Sequence, residues 1–543
     1  MMKIDELYRG YDKEEFYIGR ISQVTLENCL IEIENLTLLQ TKIINSQNLF
    51  PKTINYLVTI NDERGIFLGK VIKSQVRNNS KTHDALLNED SQYIVPELTI
   101  RVIGILKKKQ FVLPNNKAVG LTDKVYIATS KIMKMYLNSF ELMYNNKTES
   151  ILEDIAKVRS FEEWLPFSVN INTLFDRHLL IVGATNSGKS TSALRIIEKA
   201  QERQKKFILI DPTGEYRDSF GNCNDVKSID LVKDVTIDSG KVNLSQWKVL
   251  FQTNENTQGP ELAQAIEELK FQHSKGEHKA YVKRDRDFSD VERELTDFEM
   301  DNDLSTIPFE LALLEKQIIA DSVKISSSRG EKQNKYVLDL FTRNANEWLI
   351  QRIKYIRRTT KINSIFSDSS SESLFKILDD FLKGNKSLYI NVSTIGSFDA
   401  IGSFIIDIIS EYLFEHKSDD QNAFFMYIDE VHRYLNNDEI PSVGLNSIAR
   451  EGRKKGIFLF LTSQSPKDIP NAILNQIGSV IVHRLTTIDD IQALKNYLTR
   501  DTLVKISDLN KGEAILSSIN LLENLFLKFN KSSLPHYNDT QKL

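Results

Sequence analysis

Two rhythms of hydrophobic and polar residues divide this chain. From about Phe16 to Ile132, short runs alternate apolar with polar positions, as in YIGRISQVTLENCLIEIENL, INYLVTI, GIFLGKVI and LTIRVIGIL, with polar turn segments between them. A period of two over short runs marks strands that bury one face, and their spacing predicts a small sandwich or barrel. From Trp164 the rhythm changes. Near-continuous apolar runs now alternate with longer helical stretches: LLIVGA at 179–184, FILIDP at 207–212, LYINVS at 388–393, FFMYIDE at 424–430, IFLFLTS at 457–463 and VIVHRL at 480–485. Strands of this kind are buried on both faces, which predicts a parallel α/β sheet. Between about Leu244 and Ile362 the strands give way to charged helical stretches, predicting an inserted helical subdomain. The segment Ser367–Ser373 (SDSSSES) reads as the loop returning to the sheet. Near the C-terminus GEAILSS and LFLKF predict one more strand pair, followed by a polar tail.

Length and charge refine this picture. A chain of 543 residues exceeds one ordinary core. The rhythms divide it into an N-terminal β-rich domain at 1–150, an α/β core at 151–500 that carries the helical insertion at 244–362, and a C-terminal segment at 501–543. With 41% hydrophobic and 27% charged residues the composition is that of a soluble globular protein. The net charge of -4 gives no global basic signal, so any nucleic-acid contact must be local. Cys29 and Cys223 are the only cysteines and lack metal-ligand spacing, which argues against a disulfide framework or zinc site and suits a reducing cytoplasm. The charged start lacks a signal peptide's apolar stretch, and no run of about eighteen apolar residues predicts a membrane span.

The candidate chemistry centres on LLIVGATNSGKSTSALRII, a strand, the pattern GxxxxGK[ST] and then a helix. The glycines let Gly183-Ala184-Thr185-Asn186-Ser187-Gly188 wrap around phosphate with backbone N–H groups pointing inward, and the next helix adds its positive end. Lys189 is expected to reach the β- and γ-phosphates of ATP and Ser190 to ligate Mg²⁺, with Thr191 beside it on the helix. Phosphoryl transfer to water also needs a metal-holding carboxylate and a base. Asp429 and Glu430 end a buried apolar strand and suit these roles. Gln464, ending the next strand, is a candidate γ-phosphate sensor. Arg450 and Arg453, on one helical face, are candidates to stabilise phosphoryl charge from a neighbouring subunit, and Arg177 is a candidate contact in cis.

These segments resemble the HerA family of hexameric DNA-translocating ATPases, within the HerA/FtsK division of P-loop proteins. The matching residues are RHLLIVGATNSGKS, LIDPTGEY at 209–216, YIDEVHRYL at 427–435, IAREGRKKGIFLFLTSQSP at 448–466, IGSVIVHRL at 477–485 and GEAIL at 512–516. The resemblance implies a RecA-like core in a homo-hexameric ring with double-stranded DNA in its pore. It also implies a HAS-barrel-like identity for the N-terminal domain, and a C-terminal brace that brings Lys528 and Asn530 near the nucleotide. Asn186 stands where the family often has glycine, and His432-Arg433 fits the family pattern only loosely. With no second catalytic constellation in the chain, a separately encoded partner docked at the N-terminal domain is expected. That partner is a nuclease fed by a DNA motor or, in the alternative reading, a nuclease or sirtuin-like NADase effector of a phage-defence complex, assembled by the ring without obligatory translocation. Basic clusters at Lys107-Lys108-Lys109, Lys283-Arg284 with Arg286, and Arg352 to Arg358 are candidate phosphate contacts.

Overall fold

The computed structural model describes residues 3–44, 47–49, 51, 54–77, 94–115, 117–142, 150–160, 163–221, 223–254, 256–327, 333–366, 372–395, 399–435 and 443–536. Two compact units emerge: residues 1–176, 186–188 and 478–530 form the first, and 177–185, 189–477 and 531–543 the second.

In the first unit the alternating strands close on themselves. Strands β1 (Tyr17–Val24), β2 (Cys29–Glu32), β3 (Leu57–Asp62), β4 (Gly65–Val76), β5 (Pro96–Lys107) and β6 (Lys124–Ile127) run in the order β2-β1-β6-β3-β4-β5, and β5 pairs back to β2. Of the sandwich and barrel that the sequence leaves open, the fold is therefore a six-stranded closed barrel, which removes the exposed edges of an open sheet. Its centre is apolar, with Ile18, Ile31, Val58, Ile60, Phe67, Leu98 and Ile100 buried. Closure needs local bending. Gly19 lies at a register shift in β1, where a Cβ would come 2.3 Å from the carbonyl of Glu32. Further along, β7 (Ile151–Ser160) and β8 (Glu163–Asn170) form an antiparallel hairpin.

The second unit holds the near-continuous apolar strands. These are β9 (His178–Val182), β10 (Lys206–Asp211), β11 (Val226–Asp230), β12 (Ser387–Asn391), β13 (Phe424–Ile428) and β14 (Ile457–Ser463). They lie in the order β9-β14-β13-β10-β12-β11, every pair parallel, and every residue of β9, β10 and β13 is buried. A parallel sheet brings all its carboxyl ends to one edge, where α/β folds bind ligands. Helix α1 (Lys189–Glu202) follows β9 directly and buries Ala193, Leu194, Ile196, Ile197 and Ala200.

Between Val235–Thr236 and Glu372–Ser373, which pair in parallel, the chain is mostly helical and includes α2 (Gln258–Ser274), α3 (Leu314–Ala320) and α4 (Glu347–Thr359). Trp247 packs there against Phe251, Phe309, Phe366 and Phe404. The first five residues of the expected return loop, 367–371, lie outside the described residues. The predicted C-terminal strand pair forms as Glu513–Ser518 and Leu525–Phe529, antiparallel, within the first unit. Among the described residues no helix is long and apolar enough to cross a membrane.

Candidate nucleotide site

The phosphate loop departs from β9 at Gly183 and enters α1 at Lys189. Lys189 is only 6% exposed, and its ammonium donates to the carbonyls of Gly183 (2.9 Å) and Ala184 (3.4 Å). The same ammonium lies 3.6 Å from Glu430 Oε1. Two segments separated by more than two hundred residues thus bring the expected phosphate cation and the expected base together. The order of strands explains how. β14 lies between β9 and β13, so Gln464, just past its end, falls between loop and base. Thr185 Oγ1 donates to Gln464 Oε1 and Gln464 Nε2 to Glu430 Oε1, each at 3.4 Å.

Asp429 and Glu430 are held differently. Asp429 is 2% exposed; Thr462 Oγ1 (2.5 Å) and the Tyr427 hydroxyl (3.1 Å) donate to its Oδ1, and the Tyr216 hydroxyl donates to Oδ2 (3.4 Å). Burial, against the Thr462 bond and with Glu430 and Asp211 nearby, pushes its pKa up to about 6. Glu430 leaves the strand in left-handed backbone, φ 45°, a conformation a glutamate adopts at a cost and one that clusters at functional sites. Its N–H donates to Thr462 Oγ1 at 2.9 Å, so one threonine holds the Asp429 carboxylate and the Glu430 backbone. Burial raises the Glu430 carboxyl, but His432, 3.2 Å away, together with Lys189 and Gln464, outweighs it and holds Glu430 below the usual carboxylate range. Glu430 is therefore deprotonated at neutral pH, as a general base must be before it acts.

A further acid, Glu215, joins them. The buried Asp211 accepts from Thr213 N, Thr213 Oγ1 and Gly214 N on one oxygen and from Tyr216 N and the Tyr389 hydroxyl on the other. It thereby folds the PTGEY turn that carries Glu215. Burial, then the charges of Asp429, Asp211 and Glu430, push Glu215 up to about 7. The only signal in sequence was the LIDPTGEY resemblance, which named no role for the residue.

The site's residues fit a magnesium-bound polyphosphate. Buried Glu215 Oε2 and Ser187 Oγ have no hydrogen-bond partner among the described residues, and buried polar atoms of this kind call for one.

Arg177, Arg450 and Arg453 are exposed. Arg450 lies on a π-helical turn, Ile448–Gly452, and Arg453 starts the helical turn that follows. Buried His178 ties that turn to the sheet: its Nδ1 accepts from Leu459 N and its Nε2 faces the Ala449 carbonyl, each at 2.9 Å. Lys528 is exposed on the final strand, and Asn530 donates to the Asp154 carbonyl at 2.9 Å, both within the first unit.

Of the basic clusters, Lys283 is unavailable to any phosphate. It is 2% exposed and paired with Glu268 at 2.7 Å and Asp321 at 2.9 Å. Arg286 is engaged by Glu294 at 2.6 Å and Arg352 by the carbonyls of Phe251 and Gln252. Lys316, Lys354, Arg357 and Arg358 line a cleft of about 460 Å³ beside α3 and α4, with Glu315 3.6 Å from Arg357 as its one acid. Lys107, at the end of β5, and Lys108 and Lys109, in the turn that follows, are exposed.

A phosphate loop on β9, an intervening strand and a carboxylate pair on β13 define a P-loop nucleoside triphosphatase. The model of the HerA helicase central domain matches residues 154–409 and that of the HerA-like helicase C-terminal domain matches 400–524. The chain belongs to the HerA family of ATPases. It is similar to the DNA double-strand break repair helicase HerA of Saccharolobus solfataricus, 24% identical over 356 residues, or 64% of this chain and 63% of that protein. The chain thus spans somewhat less than two thirds of that relative's length. A probable HerA helicase of Methanocaldococcus jannaschii is 22% identical over 457 residues, 77% of this chain and 82% of that protein. Among solved structures, VirB4 of Thermoanaerobacter pseudethanolicus covers 70% of this chain and 96% of its own at 12% identity and a TM-score of 0.47. The conjugative coupling protein TrwB covers 70% and 91% at 13% identity and a TM-score of 0.44.

Proposed function

We propose that this chain hydrolyses ATP and couples the cycle to movement along duplex DNA as a subunit of a homo-hexameric ring. The observation that carries the reading is Glu430, ionised and held by Thr462, 3.6 Å from the phosphate-loop lysine. The backbone of Gly183 to Gly188 and the Lys189 ammonium bind the phosphates, and Gln464 orients the terminal one. Ser190 and Asp429 hold Mg²⁺, which when bound neutralises charge on the phosphates. Glu430 takes the proton of the attacking water. Arg177 contacts the nucleotide in cis, and Arg450 or Arg453 completes a neighbour's site in trans, which suits a head-to-tail ring. Relatives named as double-strand break repair helicases support a DNA substrate. The barrel is our candidate for the family's HAS-barrel and for the docking domain of a nuclease or NADase partner.

The test is the ATPase rate against duplex concentration at two salt levels, with the assembled protein. Stimulation by any duplex sequence that weakens steeply with salt is expected, because phosphates carry no base identity and binding them releases counterions. ATP hydrolysis that duplex neither binds nor stimulates, while a partner subunit raises turnover, would replace the motor with an effector-assembling scaffold.

A further inference from the structure

The tip of the phosphate loop is held by a turn three hundred residues downstream. Asn186 has left-handed backbone, φ 63°, where glycine and, less readily, asparagine are at ease. Its Oδ1 accepts a hydrogen bond from Lys511 Nζ at 2.5 Å. The next loop residue, Ser187, accepts at its carbonyl from Gly512 N at 2.9 Å. The one after, Gly188 (φ 119°), comes so close that a Cβ there would stand 3.1 Å from both Cα and N of Gly512. Three consecutive loop residues therefore each meet the two-residue turn Lys511-Gly512. That turn is itself fixed, since Phe529 N donates to the Gly512 carbonyl at 2.9 Å.

We propose that Lys511 is a positioning residue for nucleotide binding, holding the loop tip through Asn186 so that the loop's N–H groups converge on phosphate. The proposal rests on reading the loop as an ATP site. Both side chains are exposed. A solvent-screened contact of this kind adds little to folding, and ordering a lysine costs side-chain entropy. Its consequence is local: the asparagine that stands where glycine is common is tied in one orientation by a lysine outside the loop.

The test measures binding of a fluorescent ATP analogue with Mg²⁺ to the full chain, and steady-state KM and kcat. Lys511→Ala should weaken binding about threefold to tenfold, as for loss of one exposed charge-assisted hydrogen bond, and raise KM with little change in kcat. Lys511→Arg should bind as the parent does, and Lys511→Gln, which keeps a donor without charge, should fall between them. Asn186→Gly, which keeps the left-handed backbone while removing the acceptor, should weaken binding to about the same extent as Lys511→Ala, and the double variant should be no weaker than either, because both remove one interaction. Parent protein that does not bind the analogue, or a Lys189→Ala variant that binds it equally well, would overturn the ATP-site reading and this proposal with it. If those arms behave and Lys511→Ala binds like the parent, or the two losses add, the role of Lys511 alone is overturned.

Discussion

Thr462→Val separates the hydrogen-bond chemistry of the site from its packing, since valine matches threonine in shape but lacks the hydroxyl. Thr462 is fully buried, donates to Asp429 Oδ1 and accepts from Glu430 N. A hydrogen bond to a charged group is worth about 1.5–3 kcal/mol, or roughly one to two pKa units. Asp429, already near 6, would climb to about 7–8. At pH 7 its ionised fraction would then fall from about 90% to roughly 10–50%. If Asp429 holds Mg²⁺ as a carboxylate, the Mg²⁺ concentration for half-maximal hydrolysis should rise about twofold to tenfold at pH 7, and the gap should largely close at pH 9. The unsatisfied Glu430 N–H adds about 1 kcal/mol, felt as roughly fivefold in kcat at saturating Mg²⁺. Steady-state ATPase against Mg²⁺ at pH 6, 7, 8 and 9 measures both effects, with Thr462→Ser as the variant that keeps the hydroxyl. An unchanged Mg²⁺ requirement, or a deficit that does not shrink with rising pH, would refute the reasoning.

Lys283→Met should destabilise the helical region by about 3–5 kcal/mol, because it strands the buried carboxyls of Glu268 and Asp321 without their cation. Asp321 already sits well above its ordinary pKa through burial and the nearby Glu268, and loss of the lysine raises it further. A raised folded pKa stabilises below the unfolded pKa and is lost as pH rises, so hydrogen exchange of α2 and α3 should show a larger deficit at pH 8 than at pH 5. The same sign governs Asp429, about 6, and Glu215, about 7: in the ligand-free protein their contribution is complete below about pH 4 and is lost as pH rises through 6 to 7. Mg²⁺–nucleotide affinity should run the other way, weakening as pH falls below about 6, which titration at pH 5.5 and 7.5 can check.

The residues that were legible in sequence lie in contiguous motifs at strand ends. The loop from Gly183 to Ser190 and the Asp429-Glu430 pair each follow an apolar strand, so local pattern sufficed, and the parallel sheet followed from strands without polar faces. Longer-range pairing was not legible. Barrel closure depends on β2 meeting β5, with Cys29 opposite Ile100, and alternation alone leaves sandwich and barrel open. Lys283 looked like part of a basic cluster because its partners, Glu268 and Asp321, come from other segments of the chain. Asp211 and Glu215 belonged to a recognisable stretch, yet only folding shows that the first builds the turn and the second faces Asp429 and Glu430. The Lys511–Asn186 bond spans 325 positions, beyond any local signal.

The most direct measurement of the central claim is ATP binding and single-turnover hydrolysis by Glu430→Gln beside the parent protein. Loss of the base with the phosphate loop intact should leave Mg²⁺–ATP affinity within about threefold while the cleavage rate falls by about 10²-fold or more. Hydrolysis at the parent's rate would contradict the assignment of Glu430 and the hydrolytic site built around it.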